Sequence, residues 1–210
     1  MNLARKAMNA PALAAIYEHA WRPTLFYLAS GRTTGDDRRD AVRSLRLGGP
    51  EKVLDLACGP GNFTRYLSEH LSGDGFVTGL DYSAPMLARA AADNAGPRVG
   101  YVRGDARTLP FADETFDAVC CFGALYLIPD PIAAAREMIR VLAPGGRIAI
   151  TTSYRDDNLF GKASTLAAGV SGLRLFDRDT FPTLFASSGL TEITQRVHRF
   201  MQYVEATRPA

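Results

Sequence analysis

The chain has 210 residues, 47% of them hydrophobic, and a formal net charge of +2. That is enough apolar material to bury one domain-sized core, and so even a charge balance argues against the strongly basic surface of a nucleic-acid binder. Cys58, Cys120 and Cys121 have neither a disulfide-framework nor a zinc spacing, and they read as small core residues of a reducing compartment. No run approaches the roughly eighteen apolar residues needed to span a bilayer. The apolar stretch Ala10–Ile16 meets Glu18 and His19 too soon to make a secretion signal, so a cytoplasmic protein without membrane insertion is expected.

In chain order, the pattern predicts helices over 11–22 and 36–46, the second carrying Arg38, Arg39, Arg43 and Arg46 on a solvated face. A strand over 52–56 leads through a glycine turn into a helix over 62–71, followed by a strand over 75–80 and a helix over 84–93. Strands over 98–102 and 115–121 come next, then a helix over 131–142 that Asp130 and Pro131 start and Gly145 stops. A strand over 146–152, a helix over 178–187 and two final strands over 190–197 and 200–206 complete the set. Repeated strand-helix alternation predicts a mostly parallel sheet with helices on both faces, and the closing strand pair, with no helix between, predicts antiparallel pairing at one edge.

The stretch from Val53 to Phe63 carries the chemistry. An apolar strand enters Gly59-Pro60-Gly61 and then a helix, and two glycines there allow backbone angles closed to other residues and close approach of a ligand to the main chain. Asp81 follows Gly59 by 22 residues, at the end of the next strand, where an acid can bind ribose hydroxyls or cap the following helix. Two features argue against a dinucleotide. Thr64 stands where the third small residue of the dinucleotide fingerprint belongs, and the Asp55 carboxylate is placed poorly for a pyrophosphate but well for an ammonium or sulfonium group.

On these residues the chain resembles the class I S-adenosylmethionine-dependent methyltransferases, whose first motif matches Asp55, Gly59 and Gly61. Gly104-Asp105-Ala106, the segment from Leu109 to Val119, and Arg140-Val141-Leu142-Ala143-Pro144-Gly145-Gly146 match further family motifs in the family's order. The Leu109 to Val119 segment is similar to the ubiquinone/menaquinone-biosynthesis group of that family. The resemblance implies a Rossmann-like α/β fold with a seven-stranded, mostly parallel sheet and an antiparallel edge strand. It divides one domain, 1–210, into an N-terminal helical cover (1–48), a cofactor-binding core (50–152), an insertion or lid (153–176) and a C-terminal helix with edge strands (177–210).

The resemblance also implies S-adenosyl-L-methionine as cofactor. Asp55 then supports its ammonium group, Gly59 and Gly61 lie under its methionine part, and Asp81 binds its ribose. Asp105 and Ala106 read the adenine, Tyr82 and Met86 line that pocket, and Phe122 and Gly123 flank the sulfonium. No metal is implied. The expected reaction is methyl transfer to oxygen or carbon of a small apolar or aromatic acceptor, with His19, Tyr17 and Tyr126 as candidate general bases; His70 and His198 are placed less well. The aromatic residues Tyr17, Trp21, Phe26 and Tyr27, together with the apolar residues of 154–176, are expected to shape the acceptor site or to complete the core. A cofactor-binding scaffold and a non-methylating cyclase on the same fold are the alternatives. A nucleic-acid methyltransferase fits less well, because Cys121-Phe122-Gly123-Ala124 replaces the motif expected after the fourth strand.

Overall fold

The computed structural model describes residues 27–155 and 174–210. Seven strands form one sheet: β1 (Lys52–Leu56), β2 (Phe76–Asp81), β3 (Val99–Arg103), β4 (Phe116–Phe122), β5 (Leu142–Ser153), β6 (Thr191–His198) and β7 (Met201–Thr207). Their order is β3-β2-β1-β4-β5-β7-β6. Every pair from β3 to β5 is parallel, and antiparallel pairing is confined to one edge, where β7 lies between β5 and β6. The order reverses between β1 and β4, and in open sheets of this kind ligands bind at that switch point, beyond the carboxyl ends of the strands.

Helix α1 (Thr34–Leu45) precedes β1, and α2 (Asn62–Ser68), α3 (Ala84–Asp93), α4 (Pro131–Val141) and α5 (Thr180–Ser187) lie in the connections after β1, β2, β4 and β5. On one face Ala41 and Leu45 of α1 and Phe63 and Leu67 of α2 pack with Val53, Val77, Ala118, Cys120 and Ala149. On the other, Ala134, Ala135 and Met138 of α4 and Phe181 and Phe185 of α5 pack with Leu54, Leu56, Val119, Cys121, Ile148 and Ile150. Strand residues alternate between these two lists, as the two-residue period of a strand requires when both faces are covered.

Helix α1 starts at a capping box between Thr33 and Asp36. Its basic residues divide: Arg39 pairs with Asp36 and Arg43 with Asp40, whereas Arg38 leaves the solvated face and lies over the Phe63 and Tyr66 rings. The underside of α1 is docked by polar groups. Tyr203 on β7 donates to Asp37 Oδ1 at 3.0 Å and Arg32 Nε donates to the same oxygen at 2.9 Å. Burial pushes the Asp37 carboxyl up, against these two hydrogen bonds.

The Leu109 to Val119 segment owes its course to α4. Glu137 Oε2 accepts the Leu109 N–H at 2.7 Å, and Arg140 donates to the carbonyls of Phe111 at 3.0 Å and Leu109 at 3.2 Å while pairing with Asp113. The Arg140 guanidinium holds the Glu137 carboxyl below its ordinary value, so this contribution to stability is present above the unfolded carboxyl's titration and is lost as pH falls through the lower folded one. Arg140→Ala is therefore expected to cost about 2 to 3 kcal/mol in urea unfolding, since two part-buried carbonyls and the Glu137 carboxylate lose a charged donor together.

The helix expected over 11–22 lies outside the described residues, and among the others two boundaries differ from the pattern reading by three residues or more. Strand β5 begins at Leu142 rather than 146, because Leu142 pairs with Phe116 before the Pro144-Gly145-Gly146 bulge and Arg147 resumes pairing at Ala118. Helix α2 stops at Ser68, and the next residues close three-residue turns such as His70 N–H to Leu67 O at 3.1 Å.

Candidate cofactor site

The loop between β1 and α2 enters the left-handed region three times in five residues: Ala57 (φ 56°), Gly59 (φ 57°) and Gly61 (φ 82°). Ala57 does so at a cost of about 1 to 2 kcal/mol, local strain of the kind that collects at functional sites. The glycines have different neighbours. A Cβ built on Gly59 meets nothing within 4 Å, so the main chain there faces open space. A Cβ on Gly61 would overlap the Tyr101 hydroxyl and stand 2.8 Å from its Cζ.

Asp81 at the end of β2 clasps this loop. Its Oδ2 accepts the Gly59 N–H at 2.9 Å and its Oδ1 accepts the Ser83 N–H at 2.8 Å. Of the two roles the sequence offered, ribose binding and holding the start of the next helix, the Ser83 contact shows the second, and the same carboxylate also fixes the glycine loop. Burial pushes its pKa up, and the backbone hydrogen bonds from Ser83, Gly59 and Tyr82 oppose that rise. Ser83 itself contributes no side-chain cap to α3.

Asp55 is only 2% exposed, and its Oδ2 accepts the Thr64 hydroxyl at 2.7 Å. Thr64, which breaks the dinucleotide pattern, thus orients the acid of the first motif. Asp55 belongs to a row across the sheet, Tyr101-Gly79-Asp55-Cys120-Ala149, and so points to the α1 and α2 face. Cys58 and Cys120 lie close to it, and burial pushes all three thiols up. A thiol reagent such as dithionitrobenzoate is expected to titrate no cysteine in the native protein and all three after denaturation.

Asp105, just past β3, is engaged by Arg107, whose backbone N–H reaches Oδ1 at 2.9 Å and whose guanidinium spans both oxygens at 2.6 to 3.2 Å. A carboxylate has about four acceptor positions, so these contacts and a ligand amino group are compatible. Ala106 is buried beside it, Met86 is 4% exposed and Tyr82 is 59% exposed. Met86 is therefore a core residue and Tyr82 a solvent-exposed one. Phe122 ends β4 with its ring 5.2 Å from Phe63, and Gly123 (φ 71°) turns the chain there, its N–H held by Thr151 O at 2.9 Å.

Tyr126 sits in the 3₁₀ turn Leu125–Leu127 and packs, half-buried, on the larger core cluster. His19 and Tyr17 lie outside the described residues, as do Trp21, Phe26 and most of the 154–176 segment. Phe176 is described and is a core residue, its ring 5.0 Å from Phe181. His198 ends the edge strand β6, and His70 holds Tyr66 O at 3.0 Å. Phe122 also borders a pocket under α1 whose walls include Asp37, Asp40, Arg196, Tyr203 and Glu205. Neither this polar wall nor the partners of Tyr101 and Asn94 were evident from the sequence; only Gly79, a glycine inside a strand, signals the close approach that Tyr101 makes.

The glycines follow β1 at the switch point, Asp81 and Asp105 stand at the ends of the next two strands outward, and the seven-stranded sheet with one reversed strand has the architecture of a methyltransferase fold. A methyltransferase-domain family model matches residues 53–146. The structure superposes on a SAM-dependent methyltransferase from Aquifex aeolicus with a TM-score of 0.68 at 16% identity, covering 94% of this chain and 98% of that one. Over the matched residues the chain is similar to S-adenosylmethionine-dependent methyltransferases, enzymes of quinone biosynthesis among them. It is 40% identical over 127 residues to demethylmenaquinone methyltransferase of Lactiplantibacillus plantarum, covering 58% of this chain and 54% of that protein. It is 41% identical over 112 residues to 2-phytyl-1,4-naphtoquinone methyltransferase of Thermosynechococcus vestitus, covering 52% and 49%. The matches span about half the length of these curated relatives.

Proposed function

We propose that the protein transfers the methyl group of S-adenosylmethionine to carbon or oxygen of a small aromatic acceptor of the quinone type. The observation that carries this reading is the open main chain at Gly59 beside a carboxylate, Asp81, that already fixes the Gly59 amide. A ligand with vicinal hydroxyls and a cationic end suits that donor and acceptor set, and the quinone-methylating relatives supply the acceptor class.

In this reading Asp81 receives the ribose hydroxyls, Asp105 with the Ala106 N–H receives the adenine, and Asp55, oriented by Thr64, supplies negative charge toward the ammonium. Gly59 and Gly61 keep the floor free of side chains. Tyr82 and Met86 border the adenine, and Phe122 and Gly123 flank the sulfonium. When bound, S-adenosylmethionine supplies a methyl group on a positively charged sulfur, already a good leaving group. The protein's part is then to hold donor and acceptor in line and exclude water, and such alignment is worth up to about 7 to 11 kcal/mol. A general base serves only an acceptor that is not already ionised; Tyr126, Tyr17 and His19 are its candidates. No described helix is long and apolar enough to cross a membrane, and a cytoplasmic enzyme acting on a small molecule rather than nucleic acid is the matching setting.

The test is a transfer assay with methyl-labelled S-adenosylmethionine and a demethylated naphthoquinol, with RNA and DNA as competing acceptors. Label is expected in the organic extract and not in nucleic acid. Cofactor binding without transfer to any aromatic acceptor would favour the scaffold reading.

A further inference from the structure

Two residues outside the motif reach its glycine turn, Asn94 and Tyr101. Asn94, the C-cap of α3, sends its side-chain Nδ2 to the carbonyl of Pro60, between the two glycines, at 2.7 Å, and lies 3.4 Å from Asn62 Oδ1. Its backbone carbonyl accepts the Tyr101 hydroxyl at 2.9 Å. Tyr101 occupies the space that Gly79 leaves open, where a Cβ would approach its Cδ1 to 2.9 Å, and its ring reaches across to stand behind Gly61.

We propose that Asn94 is a positioning residue for the cofactor loop, fixing the Pro60–Gly61 peptide plane from behind, with Tyr101 holding Asn94 in place; this rests on the cofactor reading above. The peptide is planar, so directing the Pro60 carbonyl at Asn94 directs the Gly61 N–H the opposite way, where it meets Cys58 O at 3.1 Å. Rotation of that single plane changes Pro60 ψ and Gly61 φ, and it is a soft motion because glycine accepts either sign of φ. Pro60 has no N–H, so its carbonyl is its only backbone handle, and Asn94 takes it. Asn94 therefore acts on the cofactor floor without touching the cofactor.

The experiment compares wild type, Asn94→Ala, Asn94→Asp and Tyr101→Phe by calorimetric titration with S-adenosylhomocysteine, by steady-state kinetics, and by amide hydrogen exchange of the ligand-free proteins. Asn94→Ala is expected to weaken binding about tenfold, the worth of one buried hydrogen bond. Asn94→Asp keeps the shape but places a carboxylate oxygen against a carbonyl, and is expected to weaken binding at least as much. The loss should fall on the cofactor KM rather than on kcat. In the ligand-free variants the Gly61 and Asn62 amides should exchange faster while those of β1 and α3 keep wild-type rates, with Tyr101→Phe giving the same change at smaller amplitude. Unchanged loop exchange in both Asn94 variants overturns the proposal, and so does faster exchange spread evenly through α3 and β3, which marks an ordinary fold contact. Failure of the wild type to bind the probe would overturn the cofactor reading alone, and the exchange rates would still decide the role of Asn94.

Discussion

Gly61→Ala is expected to destabilise the protein by about 2 to 5 kcal/mol, whereas Gly59→Ala, two residues earlier, is expected to cost only about 1 kcal/mol. Both residues have positive φ, so each alanine carries the left-handed penalty. Only at Gly61 does the new methyl group run into another residue, the Tyr101 ring, which is held at its hydroxyl by Asn94 and cannot easily withdraw. Urea unfolding of the two variants checks the contrast. A double-mutant cycle with Tyr101→Ala should return a coupling of at least about 1 kcal/mol for Gly61→Ala and essentially none for Gly59→Ala. The cost of Gly59→Ala should instead appear in ligand affinity, because its methyl group projects into the space where the ligand approaches the main chain. Equal stability losses at the two positions would mean that Tyr101 does not stand where the structure places it.

Asp81→Ala is expected to weaken S-adenosylmethionine binding by a factor of about 100 or more. Two hydrogen bonds from the ribose to a charged group are worth about 1.5 to 3 kcal/mol each, and tenfold in affinity corresponds to about 1.4 kcal/mol. The substitution also strips the Gly59 and Ser83 amides of their acceptor, so some stability goes with the affinity. Asp81→Asn, which keeps one acceptor oxygen, should fall between. The pH dependence has opposite signs for the two properties. Burial raises the folded Asp81 pKa above its unfolded value, so the stability that Asp81 contributes is greatest below the unfolded pKa and declines as pH rises through the folded one. If Asp81 binds the ribose as proposed, ligand affinity should rise through that same folded titration. Calorimetric titrations across the acidic range, in wild type and Asp81→Asn, separate the two.

Most of the fold could be read from the chain because strand and helix periods are local properties. Apolar runs such as Val53–Leu56 and Ala118–Cys121 are buried on both faces, and Asp130-Pro131 starts α4 through a side-chain bond to the Ala133 N–H, as its sequence announces. Local signals fail where a partner is remote. Leu142 enters the sheet before the Pro144-Gly145-Gly146 bulge because Phe116 is there to pair with it, and no pattern within 142–146 says so. Nothing near Ala57 announces a left-handed residue, since alanine is a poor choice for one.

In the candidate site, the residues proposed to meet a ligand are the ones the sequence singles out, because glycine spacing and an acid at a strand end have direct chemical meaning. The residues that shape the site from behind are not. Thr64 stood out only as a broken motif position, yet it bonds Asp55. Asn94 is 34 residues from Pro60 and becomes its neighbour only when α3 has packed beside the loop. Arg107 belongs to no motif in the sequence and is a two-pronged partner of Asp105 in the fold.

The measurement that bears most directly on the central claim is calorimetric titration of the purified wild-type chain with S-adenosylhomocysteine, with NADH as the contrasting ligand. One-to-one binding in the micromolar range, and no heat from NADH, is the predicted result. Binding of NADH with no response to S-adenosylhomocysteine would contradict the account, because Asp55 beneath the glycine loop would then be tolerating a pyrophosphate instead of meeting a cation.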